Sequence, residues 1–257
     1  MLKVRVIPTL LWRSFGLVKG VGFDSWRRVG SVLPAIKVYN QRDVDELVLV
    51  DIDAHRSVKA PDYETFGEFG SECFVPLTIG GGIRCVEQVG FFLRNGADKV
   101  SVNTAAYDNP KLISEIAKLY GTQCVVASVD VRGTDGDGRW ICFSEAGKRD
   151  TGRDVVSWVR ELEGRGAGEI LITSIERDGT MQGYDLDLVA AVSAAVSIPV
   201  IASGGAGNYQ HMIDAVQQAG ASSVAAASMF HFTEQTPAEA KKSMATVGIP
   251  VRQSFNN

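Results

Sequence analysis

The chain is poor in the features that mark secreted, membrane-spanning or nucleic-acid-binding proteins. Its four cysteines (Cys73, Cys85, Cys124 and Cys142) form no CxxC pair and no zinc spacing. Reduced thiols and a cytoplasmic address are therefore expected. No apolar run approaches the roughly 18 residues of a membrane span. The opening MLKVRVIPTLLWR is too short and too interrupted for a secretory signal. Positive charge is not in excess: the formal net charge is −4 over 257 residues, which gives no reason to expect nucleic acid or a membrane surface as partner. Three histidines, His55, His211 and His231, stand in no spacing that would pair one with a nucleophile or build a metal site. No metal and no cofactor are expected, and no linker or low-complexity tract interrupts the chain.

What is present is a repeat. Val75–Ala106 reads VPLTIGGGIRCVEQVGFFLRNGADKVSVNTAA, and Ile198–Met229 reads IPVIASGGAGNYQHMIDAVQQAGASSVAAASM. In each, a proline opens an apolar run that stops at a glycine cluster. A helical pattern, Gly-Ala and a second apolar run follow. Gly204 stands 123 residues after Gly81, Gly205 the same distance after Gly82, and the same offset lays Glu46–Asp53 on Glu169–Glu176.

Short β-rich runs at Val4–Leu11, Glu46–Ile52, Val75–Ile79, Lys99–Val102, Cys124–Asp130, Glu169–Ser174, Pro199–Ala202 and Ser223–Ala227 alternate with helical patterns at Val32–Gln41, Val86–Asn95, Asn109–Tyr120, Asp154–Arg165, Asp185–Ala195 and Tyr209–Ala219. Tyr63–Ser71 carries a weaker helical pattern, and Asn109-Pro110 reads as an N-cap followed by proline at the first helical position. Runs that are apolar throughout indicate parallel strands buried on both faces. Eight strand–helix units in one chain predict an α/β fold, a single (β/α)8 barrel over residues 1–257 built from half-barrels of about 1–120 and 121–257. A doubly wound sheet is the alternative, and the half-repeat favours closure. Arg132–Arg139 followed by Trp140–Phe143 reads as a Gly/Asp turn and a small rim hairpin, not a calcium loop, because the spaced acidic ladder and closing glutamate of that loop are lacking.

In such a barrel, chemistry sits at the C-terminal ends of the strands. Two glycine clusters related by the repeat predict two phosphate sites on opposite sides of one mouth. Asp130, ending VVASVD, and Asp178, in the loop ERDGT, are candidate general acids or bases; the competing reading is that they cap helices or hold loops. Asp51 and Asp53 read as supporting residues, and His231 as a rim or packing residue. At the opposite end Arg5, Glu46, Lys99 and Glu169 each stand at or near a strand start. Spacing alone favours ordinary solvated charges there, since a desolvated ring is costly to maintain.

From Val4 to Arg252 the chain resembles the cyclase subunit of imidazole glycerol phosphate synthase. The motifs are PLTIGGGIR (76–84), GADKVSVNTAA (96–106), GAGEILITSIERDGTMQGYD (166–185), PVIASGGAG (199–207), AASMFHF (226–232) and GIPVR (248–252). The resemblance implies a glutaminase subunit docked on the barrel's bottom face, forming a heterodimer. Ammonia would then pass through a gate of Arg5, Glu46, Lys99 and Glu169, which replaces the solvated-charge reading. Asp98 and Gln123 fall on partner-facing positions. Gly81, Gly82, Asn103, Thr104, Gly179, Gly204, Gly205, Ala227 and Ser228 fall on the phosphate sites. Asp130 matches a catalytic aspartate, Thr173, Asp178 and Ser203 other active-site positions, and Lys19 a loop position that closes over substrate.

One departure stands out. The family opens with a pattern like I-x-C-L-D-V, whose aspartate is a principal acid/base, and here the segment is Ile7-Pro8-Thr9-Leu10-Leu11-Trp12. Leucine cannot exchange a proton, and such a loss costs about 10²–10⁴ in rate. Keeping the ammonia intake while losing this aspartate is similar to a paralogue branch that serves acetamidino modification of N-acetylated nucleotide sugars in surface-polysaccharide synthesis, with a sugar amidotransferase or synthetase as a further partner. The alternative expectation is an authentic or relaxed cyclase of histidine biosynthesis, a lyase acting on a ribosyl bisphosphate with Asp178 or another carboxylate compensating for Leu11. A third is a scaffold that only activates its glutaminase.

Overall fold

A computed structural model of the chain describes residues 3–13, 16–54, 61–134 and 138–252. In chain order the first half runs β1 (Arg5–Arg13), β2 (Gly16–Val21), β3 (Asp24–Gly30), α1 (Val32–Gln41), β4 (Leu47–Asp51), α2 (Tyr63–Ser71), β5 (Leu77–Gly80), α3 (Val86–Arg94), β6 (Lys99–Val102), α4 (Thr104–Asp108) and α5 (Lys111–Tyr120). The second runs β7 (Val125–Gly133), β8 (Trp140–Ser144), β9 (Arg149–Asp154), α6 (Val155–Gly164), β10 (Glu169–Ser174), α7 (Leu186–Ala195), β11 (Val200–Ser203), α8 (Tyr209–Gln217), β12 (Ser223–Ala226), α9 (Ser228–Phe232) and α10 (Pro237–Thr246).

Strands β1, β4, β5, β6, β7, β10, β11 and β12 pair in parallel in that order, and β12 returns to β1 with Arg5 opposite Ser223. The barrel is closed and surrounded by helices, as expected for a (β/α)8 fold. Period-two alternation sorts each strand between two environments. On β1, Val6, Leu10 and Trp12 turn outward into the large core beneath the helices. Ile7 turns inward and joins Val48, Val126, Leu171, Ile201 and Ala225 in a small apolar layer inside the barrel.

Helices form where an apolar face can meet the strands. In α1 the buried residues Val32, Ile36 and Tyr39 fall on one side, at intervals of about one turn. Side chains of Asp154, Asp185, Asn208 and Thr236 accept from backbone N–H groups in the first turns of α6, α7, α8 and α10, each cap being worth ~1 kcal/mol. The weakly patterned α2 is fixed by aromatic packing. Phe66 and Phe69 meet the outward face of Trp12 edge-on, with ring centroids 5.2 and 5.6 Å away.

The observed barrel strands agree with the expected runs to within a few residues at either end. The expected N-cap of α5 shifts by one: Asn109 ends α4, and Pro110 occupies the capping position. The helices α4, α9 and α10 and two hairpin features go beyond the sequence reading. Strand β1 continues antiparallel into β2, which pairs with β3, so a long hairpin stands over the mouth. The rim hairpin after β7 is larger than Trp140–Phe143 implies, because β8 pairs with both β7 and β9. Part of its Gly/Asp turn, like His55, lies outside the described residues.

Candidate functional site

The strand starts build a closed ring of charge. Arg5 Nη1 lies 2.6 Å from Glu46 Oε2 and 3.0 Å from Glu169 Oε1; Lys99 Nζ lies 2.9 Å from Glu46 Oε2 and 3.1 Å from Glu169 Oε1. Cation and anion alternate around the axis. Neutral hydroxyls complete the set: Thr78 Oγ1 donates to Glu46 Oε1 at 2.6 Å, and Ser223 Oγ accepts from Arg5 Nε at 3.0 Å. Burial works to lower the Arg5 pKa, but Glu169 and Glu46 outweigh it and hold the guanidinium charged. Around this end Asp98 and Gln123 are exposed, and Phe74 is 79% exposed.

The small apolar layer sits directly above the ring. Leu171 stands two residues past Glu169, Val48 two past Glu46 and Ile7 two past Arg5, a rise of about 6–7 Å along each strand. A cavity of about 500 Å³ opens above, and its floor touches Leu171, Ser101 and Ala225. The ring and the cavity are therefore separated by one layer of side chains.

The two glycine clusters form matched elbows at the mouth. Gly81, Gly82, Gly204 and Gly205 all have positive φ, from 68° to 111°. A Cβ on Gly81 would run into the carbonyl oxygen of Asp51, and one on Gly204 into that of Ser174, residues that are themselves 123 apart. The backbone passes too close to the neighbouring strand end for any side chain, and it does so identically in both halves. Gly81 and Gly82 line the cavity beside Asn103 and Thr104; Gly204 and Gly205 line it beside Ala227 and Ser228, with Thr173, Gly179 and Ser203 on the same wall.

Between the elbows lie the two carboxylates. Asp130 accepts from Asn103 Nδ2 at 2.6 Å. Burial, reinforced by the charge of Asp178, pushes its pKa up to about 7 against the opposing Asn103 hydrogen bond. Asp178 is also raised by burial, opposed by Lys19, whose Nζ is 2.6 Å from Asp178 Oδ2 and which is only 2% exposed. Lys19 reaches this point from β2, and Gly22 N donates to Asp178 O at 2.8 Å, fastening the hairpin over the mouth. Leu11 also lines the cavity, paired with Val50 of β4 and Val18 of β2, so an aliphatic wall faces the acidic one.

Asp51 and Asp53 are supports: Asp51 Oδ1 accepts from the N–H groups of Asp53 and Ala54, and Asp53 holds Arg13 at 2.7 Å. His211 accepts from Gly207 N and so braces the second elbow. His231 lies against β1, its pKa lowered by burial and by Lys19 against the hydrogen bond that the ring makes to the Thr9 backbone carbonyl. Cavity residues not singled out in the sequence include Thr9, Ser101 and Ser128 on the inward faces, and Phe23 and Trp26 on the hairpin. Period-two counting back from Leu11, Asn103 and Asp130 reaches the first three. Among the described residues no group of three His, Cys, Asp or Glu side chains could hold a metal, and no helix is long and apolar enough to cross a membrane.

Comparison with known proteins agrees with this architecture. The profile of the family described as "Histidine biosynthesis protein" matches residues 5–236. Two relatives named "Imidazole glycerol phosphate synthase subunit HisF", from Caulobacter vibrioides strains NA1000 / CB15N and ATCC 19089 / CIP 103742 / CB 15, are each 45% identical over 252 residues, covering 98% of this chain and 97% of the relative.

Proposed function

The chain belongs to the histidine biosynthesis protein family, and from that premise we propose that it is the ammonia-receiving barrel of a glutamine-dependent complex, working in the cytoplasm. The observation that carries this reading is the closed ring of Arg5, Glu46, Lys99 and Glu169, one layer of side chains below the cavity floor. Four partly desolvated charges are a poor way to close a barrel for stability alone, because well-packed apolar residues do as well or better. A gate that admits a small neutral molecule and excludes bulk water and ions gives the ring a purpose. Asp98, Gln123 and Phe74 would then face the glutaminase. Asp130 and Asp178 would serve as acid/base groups, and the two glycine elbows, with Lys19 closing from above, would hold a ligand bearing a phosphate at each end.

Two readings of the ammonia's fate follow, each favoured by a different observation. The relatives' names favour the cyclase, a lyase that uses ammonia to convert the ribosyl bisphosphate of histidine biosynthesis into imidazole glycerol phosphate and a carboxamide nucleotide. Leu11 favours the relay: an aliphatic side chain on the mouth wall supplies no proton, and the ammonia would pass to a sugar amidotransferase acting on an N-acetylated nucleotide sugar. The cyclase has the stronger support from the relatives; the relay rests on Leu11 and on the resemblance to the paralogue branch.

Turnover of the ribosyl bisphosphate with ammonium salt, by the wild type beside Leu11→Asp, separates the two. Clear wild-type turnover rejects the relay. A silent wild type with turnover gained in Leu11→Asp rejects the cyclase and leaves a mouth diverted from that chemistry.

A further inference from the structure

The two glycine elbows are held from behind by side chains at equivalent positions. In the first half Arg84 N donates to Gln88 Oε1 at 2.7 Å; in the second Gly207 N donates to His211 Nδ1 at 3.2 Å. Arg84 and Gly207 stand 123 residues apart, as do Gln88 and His211, the interval that relates the elbows themselves. Each acceptor is the third residue of its helix, α3 or α8, and reaches back to the residue before the N-cap. The device is repeated, but the acceptor is not. A glutamine carbonyl accepts at every pH, whereas an imidazole accepts through one nitrogen and, once protonated, through none. The other ring nitrogen gives no relief. Nε2 lies 3.3 Å from Nδ2 of Asn208, whose Oδ1 already accepts from His211 N. A protonated ring would set an N–H against a donor on both sides.

We propose that Gln88 and His211 are positioning residues that hold the two elbows in shape for a phosphate, and that His211 makes the second elbow, not the first, lose its anion on acidification. The inference rests on the two-phosphate reading of the mouth. An elbow binds an anion through backbone N–H groups that must converge, with a helix N-terminus behind them. Tying the peptide that leads into the helix holds that convergence. The elements packed beside α8 carry Arg177 and Asp178 in the loop before α7, Asp185 and Asp187 at its start, and Glu239 in α10. Asp178 is taken by Lys19, Asp185 by Trp140 and Leu188 N, and Glu239 by Tyr209 and Thr236; on α8 itself Asp214 accepts from Gln210 and Gln218. Protonation of Asp130 and Asp178 on the same acidification removes negative charge from the mouth, which favours anions at both elbows. A selective loss at the second elbow would run against that trend.

The test follows the backbone amide resonances of Gly82 and Arg84, and of Gly205 and Gly207, as the full chain is titrated with inorganic sulfate. The range is about pH 5 to 8, where histidine changes charge and sulfate does not. Relative to the first elbow, the wild-type dissociation constant at the second should rise roughly 5- to 10-fold from the top of that range to the bottom. His211→Gln, which copies the first half, should abolish this difference and bind within about twofold of the wild type at the alkaline end. Gln88→His should transfer the acid sensitivity to the first elbow. His211→Leu, with no acceptor, should bind roughly 5- to 10-fold more weakly at the second elbow throughout; if it does not fold, the wild type against His211→Gln decides. Equal pH dependence at the two wild-type elbows, or a difference that survives in His211→Gln, overturns the proposal alone. Absence of any sulfate-dependent shift at either elbow at the alkaline end overturns the two-phosphate reading and the proposal with it.

Discussion

At the barrel floor Glu46 is 1% exposed yet meets Arg5, Lys99 and Thr78, so its buried charge is answered on every side. At the mouth Asp130 is 8% exposed and meets Asn103, while the charge of Asp178 adds to the burial that opposes its ionisation. The same residue class meets two opposite environments. The floor is complete without a ligand and must rearrange to let anything through. At the mouth, Asn103 Oδ1 and Ser228 Oγ have no hydrogen-bond partner among the described residues, and a carboxyl is poised near neutrality. That is the difference expected between a gate and a reaction centre.

The largest expected effect tests what the mouth lacks. Leu11→Asp is predicted to raise ammonium-driven turnover of the bisphosphate at least ~100-fold if the other groups retain their roles; no gain would mean that more than one proton-transfer group has been lost. Next, Asp130→Asn is predicted to lower any turnover at this mouth by about 10²-fold or more. It should also change the pH dependence of stability in a defined direction. A carboxyl whose folded pKa is about 7 binds more protons folded than unfolded, so wild-type stability falls as pH rises from about 4 to 7. Asp130→Asn removes that fall. Its melting temperature should exceed that of the wild type at pH 8, with the gap closing toward pH 4. Equal melting at both pH values would show that Asp130 is not held protonated.

At the floor, Glu46→Gln strands Arg5 and Lys99 with Glu169 alone and should cost about 3 kcal/mol in urea unfolding, with turnover from added ammonium salt affected less than turnover from glutamine. A loss below ~1 kcal/mol would make the ring a set of ordinary surface pairs. Gly81→Ala and Gly204→Ala should each cost about 1–3 kcal/mol and weaken binding of a bis-phosphorylated ligand to similar degrees; strongly unequal effects would end the equivalence of the elbows. The smallest stability effect belongs to Phe74→Ala, which should leave melting unchanged while weakening capture of the glutaminase in a pull-down titration.

The sequence made the barrel legible because parallel strands buried on both faces are apolar along their whole length, and the half-repeat fixed where the glycine elbows recur. The hairpin β2–β3 was not legible. DSWRRVG is largely exposed and shows no alternation, and it becomes a strand only because β1 runs on past the barrel and offers β2 an edge. Helix α10 does carry a signal in the sequence: Thr236-Pro-Ala-Glu239 is a capping box, with Glu239 N donating to Thr236 Oγ1 and both side chains meeting at 3.1 Å. Around the site, the mouth residues could be found from strand ends, but the charge ring could not be found from spacing. Arg5 and Glu169 lie 164 residues apart, and only closure of the barrel brings them together.

The floor also records how the two halves came to differ. Glu46 and Glu169 occupy equivalent positions, but Ser223, three residues after Gly220, stands where the first half has Lys99, three after Gly96. A symmetric barrel made of two first halves would bring Arg5, Lys99 and Glu46 twice each to its axis, four cations against two anions. A barrel of two second halves would bring only its glutamates. Electroneutrality at the axis is therefore a property that neither half could have had alone, and a designer fusing two copies of one half would have to repair the axis before the barrel could close.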